Sequence, residues 1–332
     1  MDPIWIVLIV LAAICLLVVI LAAVAMYIVA YARELPPVAD KIFAQNSGDE
    51  EAKKPLEEKH QRIYEETVAW LEAQPKKQDL YITSFDGLKL HSVYLPADVP
   101  TKKTVHVVHG FHAEGLWDFA TMVPYYHNAG YNVNIPDDRA HLKSEGKLLG
   151  FGWNDRRDTV DWCRKLTEVV GEDIEIVLHG VSMGAATVMM ASGEKDLPSQ
   201  VKCIIEDCGF SSAMAEFKHT APSQIHFMID GVLFFDNLIN RIFNHYWIYK
   251  ASSLKQLKKA KVPILFIHGD SDTFVPSAMV YDNYNACGSE KEIWVTKDVP
   301  HAKSSIIYTE EYGRKCVAFM EKYFGKTASE TK

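Results

Sequence analysis

At 332 residues, with 48% of them hydrophobic, the chain has room for one domain of roughly 250 residues and an appendage. A net charge of −8 with scattered lysine and arginine leaves no basic footprint for nucleic acid. The six cysteines show no CxxC spacing, which argues against a zinc ribbon or a disulfide framework.

Pro3 to Ala32 carries no charge and is dominated by Ile, Leu, Val and Ala. This run exceeds the ~20 residues that cross a bilayer, so it reads as a single transmembrane helix. The competing reading is a cleaved signal peptide, suggested by Ala30-Tyr31-Ala32, but the apolar run is longer than a signal core and no Lys or Arg precedes it. Arg33 and Lys41 follow the span, which by positive-inside counting places the remainder in the cytoplasm. Unpaired cysteines agree with a reducing compartment. The span has no GxxxG, and nothing else bears on assembly.

Glu34 to Pro55 is polar and acidic and reads as a tether, followed by an amphipathic helix over Leu56–Gln74 whose buried side holds Ile63, Trp70 and Leu71. Leu80 to Pro96 reads as a hairpin turning at Asp86-Gly87. The expected organisation is an anchor over 1–33, tether and helix over 34–78, and a single folded domain over 79–332.

From Thr104 short apolar strands alternate with helical stretches, the pattern of a mostly parallel sheet covered on both faces. Strands are expected at Val105–Val108, Tyr131–Ile135, Ile174–Leu178, Val201–Ile205, Ile264–Ile267 and Ile293–Val295. Helices are expected near Trp117–Ala129, Asp155–Val170, Gly184–Ser192, Pro276–Ala286 and Ile306–Phe324. Functional groups of such sheets gather beyond the carboxyl ends of the strands.

Three such ends carry a coherent chemistry. Gly180-Val181-Ser182-Met183-Gly184 is GxSxG between an apolar strand and a small-residue helix, the setting in which a sharp turn lifts a nucleophilic serine above the sheet. Asp272 follows the strand ending at Ile267, and His301 the strand ending at Val295. Nucleophilic catalysis asks for a base that takes the serine proton and a carboxylate that orients the base, in the order Ser, Asp, His. Asp270 is the alternative acid.

With these residues, His109-Gly110-Phe111, Pro136 to Arg139, Ser144-Glu145-Gly146 and Pro300-His301-Ala302, the sequence resembles the α/β-hydrolase superfamily from about Leu80 onward. It is most similar to the serine-aminopeptidase-like branch, which includes membrane-anchored bacterial hydrolases. The resemblance implies an eight-stranded, mostly parallel sheet and a helical cap after the sixth strand, here over 210–250. It also implies oxyanion-hole amides on Phe111 and Met183. Where the family has Arg-Gly-His-Gly, this chain has Arg139-Ala140-His141-Leu142, so a different turn is expected there. Pro300 replaces a common glycine before the histidine. His109, His179 and His268 fit positions where the family repeats His-Gly for structural reasons, so no metal is expected.

The stretch Phe210–Tyr249 carries Phe217, Phe227, Phe234, Phe235, Phe243, Tyr246, Trp247 and Tyr249, an aromatic set suited to a pocket or to packing. The expected activity is hydrolysis of carboxylic esters or thioesters by a membrane-anchored enzyme through an acyl-enzyme, with no cofactor. The expected partners are a small ester or acyl substrate and the bilayer. The alternatives are a peptidase with the same triad, in which Glu145 or Glu216 holds the substrate ammonium, an acyltransferase, and a non-catalytic binding scaffold.

Overall fold

A computed structural model describes residues 3–35 and 50–325. The helix Pro3–Tyr31 opens the chain and is long and apolar enough to cross a membrane. Most of the expected tether, residues 36–49, lies outside the described residues. From Glu50 the chain is already helical, so the helix Glu50–Glu72 begins before the Leu56 expected for it and carries Pro55 near its start. Leu71 is buried and Trp70 packs beside it on the core, while the Thr67 hydroxyl donates to the Ala120 carbonyl at 2.7 Å.

The sheet has eight strands: β1 (Gln78–Thr83), β2 (Lys89–Leu95), β3 (Lys103–Val108), β4 (Asn132–Pro136), β5 (Glu175–Val181), β6 (Val201–Asp207), β7 (Ile264–Gly269) and β8 (Lys291–Thr296). Their spatial order is β1-β2-β4-β3-β5-β6-β7-β8. β2 runs antiparallel to β1 and β4, and the pairs from β4 through β8 are parallel. Residues of β3, β5, β6 and β7 are buried almost throughout, as central parallel strands must be. The two-residue period sends Val105, Val177, Cys203 and Leu265 to one core, covered by helices Met122–Asn128 and Thr309–Glu321. It sends Val108, Leu178, Ile204 and Phe266 to the other, covered by helices Asp155–Val170, Met183–Ala191 and Ala278–Ala286.

Two expected helices are broken. Trp117–Ala129 is divided into Gly115–Asp118 and Met122–Asn128, and Ile306–Phe324 into Ser304–Ile307 and Thr309–Glu321. Apolar periodicity runs through both breaks, which is why the sequence reads them as continuous. A third apolar cluster lies beyond the sheet's carboxyl ends. It joins Met183, Phe210, Phe217, Leu233 and Tyr246 to Tyr27, Ala30 and Tyr31 of the N-terminal helix. The segment between β6 and β7 contributes helices Ala213–Thr220 and Ile229–Phe243, and the N-terminal helix packs along the second.

Candidate active site

Ser182 stands between β5 and the helix Met183–Ala191 with φ 56° and ψ −117°. A non-glycine residue held there costs on the order of 1–3 kcal/mol, which the surroundings must impose. The flanking glycines show how. A Cβ on Gly180 would collide with the Gly184 carbonyl, and one on Gly184 with the carbonyl of Val108 on the neighbouring strand. The Ser182 amide donates to the Asp207 carbonyl at 2.8 Å, tying the turn to β6. The hydroxyl therefore projects beyond the sheet at the N-terminus of a helix, whose dipole favours negative charge.

The structure brings Ser182, His301 and Asp272 together from three strand ends. His301 Nε2 lies 2.8 Å from Ser182 Oγ, and His301 Nδ1 lies 2.7 Å from Asp272 Oδ2. The other Asp272 oxygen accepts from the Phe274 and Val275 amides at 2.9 Å each, so the carboxylate is fixed by its own loop. Burial alone would raise the Asp272 pKa, but the His301 charge and hydrogen bonds from His268 and His301 outweigh it and hold the carboxyl well below the usual range. Burial favours a neutral His301, yet the charge and hydrogen bond of Asp272 raise its pKa above the ordinary 6.5. Asp270 does not reach the histidine. Its Oδ1 accepts from the exposed Asp298 amide at 2.7 Å and from the Ser271 hydroxyl.

Phe111 follows β3 beside the serine, where a Cβ on Gly110 would come within 3.3 Å of the Ser182 Cβ. The Gly110 amide donates to Asp118 Oδ2 at 2.6 Å, which fixes the His109–Gly110 peptide just before Phe111. Burial pushes the Asp118 carboxyl up to about 6, against the pull of that hydrogen bond. Met183 occupies the first helical position after Ser182, where the backbone N–H has no intrahelical acceptor.

The Arg139–Leu142 loop has left-handed backbone at two positions that are not glycine: Ala140 has φ 62° and Leu142 φ 39°. Arg139 holds the loop from below, donating through Nε and Nη2 to both oxygens of Asp158 at 2.7 and 2.8 Å and through Nη1 to Asp86 at 2.9 Å.

The histidines before glycine are engaged within the fold. His109 Nε2 accepts from the Asp138 amide at 3.1 Å, His179 lies between the Tyr126 and Tyr312 hydroxyls, and His268 Nε2 donates to the Val275 carbonyl at 3.0 Å. Cys208, Asp272 and His301 present donor atoms within 4.8 Å of one another. They make a poor metal set, because the His301–Asp272 hydrogen bond occupies both and burial, with the charges of Asp207 and Asp272, keeps the Cys208 thiol protonated.

Two spaces meet at Ser182 and share Phe111 and Phe274. One is a wide cleft of about 1150 Å³ with Glu57, Glu114, Asp118, His301 and Lys303 on its walls. The other is an apolar cavity of about 480 Å³ lined by Phe151, Phe210, Phe217 and Val275. Of the aromatic set between β6 and β7, Phe217 lines this cavity and Tyr246 is buried with its hydroxyl on the Gly150 carbonyl at 2.8 Å. Phe227, Phe234, Phe243 and Tyr249 are exposed. Phe151 and the cavity residues of the N-terminal helix carry no motif and escape sequence reasoning. Glu216 also lines the cavity, with neither carboxylate oxygen hydrogen-bonded, and burial pushes it up to about 8. Glu145 is exposed and accepts from the Lys89 amide at 2.8 Å, away from the serine.

An uncharacterized Bacillus subtilis protein, YqkD, is 23% identical to this chain over 75% of it and 80% of its own length. Among solved structures, the Pyrococcus furiosus esterase Pf2001 is similar with a TM-score of 0.60 and 23% identity, covering 75% of this chain and 92% of that one. Pyrococcus horikoshii acylaminoacyl peptidase is similar with a TM-score of 0.57 and 20% identity over 75% of this chain, which spans 42% of the longer peptidase. At these identities the likeness establishes a shared α/β-hydrolase fold. The model of the prolyl oligopeptidase family matches residues 144–328, more than half of the sequence and the stretch holding Ser182, Asp272 and His301, and the chain belongs to that family of serine hydrolases.

Proposed function

We propose that the protein is a single-pass membrane serine hydrolase that cleaves carboxylic esters or thioesters, with its catalytic domain on the cytoplasmic side. The observation that carries this reading is the unbroken chain of hydrogen-bonding distances from Asp272 through His301 to Ser182, 2.7 and 2.8 Å. Ser182 Oγ attacks the acyl carbon as His301 Nε2 takes its proton, and Asp272 stabilises the imidazolium. The Phe111 and Met183 amides receive the oxyanion. Such donors typically contribute about 3 kcal/mol each in the transition state. The leaving oxygen or sulfur takes the proton from His301, and water then releases the acyl group by the same steps in reverse order.

Peptidase chemistry on the same triad is the second reading, favoured by the family. A peptidase trimming free N-termini needs a carboxylate for the substrate ammonium. Among the described residues lining the cavity Glu216 is the one carboxylate, and burial keeps that group largely neutral at pH 7. An apolar cavity with a neutral acid suits an acyl chain better than an ammonium.

The test is hydrolysis of p-nitrophenyl esters from acetate to palmitate by the full chain in detergent micelles, compared with Ser182→Ala. We expect turnover that falls at least ~10³-fold in the variant, and fluorophosphonate labelling of the wild type alone. Labelling without ester turnover, together with cleavage of aminoacyl amides, would establish the peptidase reading instead.

A further inference from the structure

The apolar cavity beside Ser182 has one wall that is not part of the hydrolase domain. Ala22, Ala25, Met26 and Val29, at helical i, i+3, i+4 and i+7 spacing, line it from the N-terminal helix. We propose that the last turns of this helix are a wall of the acyl-binding pocket, and that the substrate is a long-chain carboxylic ester resident in the leaflet beside it. The proposal rests on the serine-hydrolase reading above and names its substrate class.

Three independent observations carry it. The first is where the cavity opens. Among its lining residues only Ala25 and Ile28 are exposed, both on the helix, so the mouth lies along the helix itself. The second is length. The helix is exposed from Ile4 to Val18, ~22 Å at 1.5 Å per residue, whereas the hydrocarbon core is ~30 Å thick. The turn after Val18 is needed to complete the crossing, and there the helix already touches the segment between β6 and β7. A Cβ on Gly231 would lie 3.2 Å from Val19 Cγ1. Helix Ile229–Phe243 is thus brought to the membrane boundary.

The third is the surface of that segment. Phe227 is 87% exposed, Phe234 and Phe243 60% each, and Ile242 65%. Phe234 and Ile242 share a helix face two turns apart, and the Phe243 ring lies 6.0 Å from that of Tyr27 on the N-terminal helix. Large exposed apolar side chains gathered beside a membrane helix suit an acyl-chain boundary rather than water.

An ester lying in that leaflet reaches Ser182 without leaving apolar surroundings. Its chain enters past Ala25 and Ile28 and occupies the cavity between the helix, Phe151 and Phe217, and its head group lies in the wide cleft with Glu57 and Lys303. Ser182 Oγ bonds to the carbonyl carbon, the bond from that carbon to the head-group oxygen breaks, and that oxygen takes the proton held by His301. Water supplies the hydroxyl and proton that free the fatty acid and restore Ser182.

The experiment uses the full chain in phosphatidylglycerol vesicles with p-nitrophenyl palmitate dissolved in the bilayer and p-nitrophenyl acetate in the water. Ala25→Trp and Val29→Trp narrow the cavity, and Val24→Trp faces away from it as the control. We expect both narrowing variants to lower the palmitate-to-acetate ratio of kcat/KM at least tenfold, and Val24→Trp to keep the wild-type ratio. Fluorophosphonate labelling of Ser182 in each variant shows that the site is assembled. An unchanged ratio in labelled narrowing variants overturns the proposal, as does equal turnover of palmitate presented in the bilayer and in albumin solution. Binding of parinaric acid to the Ser182→Ala chain, tight with the natural helix and at least tenfold weaker with Val29→Trp, reads the pocket without chemistry. It separates failure of the pocket from failure of the triad.

Discussion

At the scale of single residues, the site couples two titrating groups. In the proposed mechanism a protonated His301 cannot act as base, so kcat/KM is expected to rise with pH through its pKa, which lies above the ordinary 6.5 because the charge and hydrogen bond of Asp272 outweigh burial. Glu216 is neutral below about 8 and ionises above it, placing a charge inside an apolar cavity. The expected profile for a long-chain ester is therefore a bell, with an acid limb from His301 and an alkaline limb near 8 from Glu216. Glu216→Gln should remove the alkaline limb and leave the acid limb in place, since the neutral glutamate lends His301 no charge at that pH. A bell that keeps both limbs in the variant sinks this assignment.

At the scale of elements, the middle of the sheet was legible because β3, β5, β6 and β7 are short apolar runs with a glycine at or just past their ends, and burial on both faces leaves few other solutions. The helix breaks at Phe119–Thr121 and at Tyr308 were not legible, since the backbone changes direction there without any loss of apolar period. The left-handed backbone at Ala140 and Leu142 was obscured for a related reason: no glycine stands there to announce it. Helix Ile229–Phe243 carries a further surprise in Asp236, which is fully buried toward Tyr27 and Tyr31 with neither oxygen hydrogen-bonded. Burial raises this carboxyl to about 8. Its folded pKa exceeds its unfolded one, so stability is full below about 4 and is lost as pH rises toward 8. Between pH 6 and 8 one extra proton on the folded state costs about 1.4 kcal/mol per pH unit on that side of the balance. Asp236→Asn should flatten the decline by that amount, read as the pH dependence of the thermal midpoint in detergent. Parallel declines in variant and wild type would show that the carboxyl is ionised in the folded chain.

At the scale of the whole molecule, motif and pocket differ in how the sequence encodes them. Ser182, Asp272 and His301 stand at strand ends, and strand ends are set by local patterns, so three short stretches suffice to find them. The cavity depends on the angle at which the N-terminal helix meets the domain, and no local pattern records an angle. In the structure Arg33 fixes it. Its guanidinium donates to the Ser144, Gly146 and Leu142 carbonyls at 2.8, 3.3 and 2.5 Å, and the backbone continues the joint with the Leu149 amide on the Tyr31 carbonyl at 2.8 Å. Hydrogen bonds from a charged donor are worth about 1.5–3 kcal/mol. Losing this cluster should then lower the thermal midpoint by roughly 5 °C for a domain of this size. Arg33→Ala should do so and should also reduce the palmitate-to-acetate ratio, because a loosened helix no longer closes the cavity wall. Arg33→Lys, which keeps the charge but cannot span three carbonyls, should fall between. If Arg33→Ala changes neither the midpoint nor the ratio, the helix is held by its apolar face alone, through Ala23, Tyr27 and Ala30, and the arginine does not set its angle.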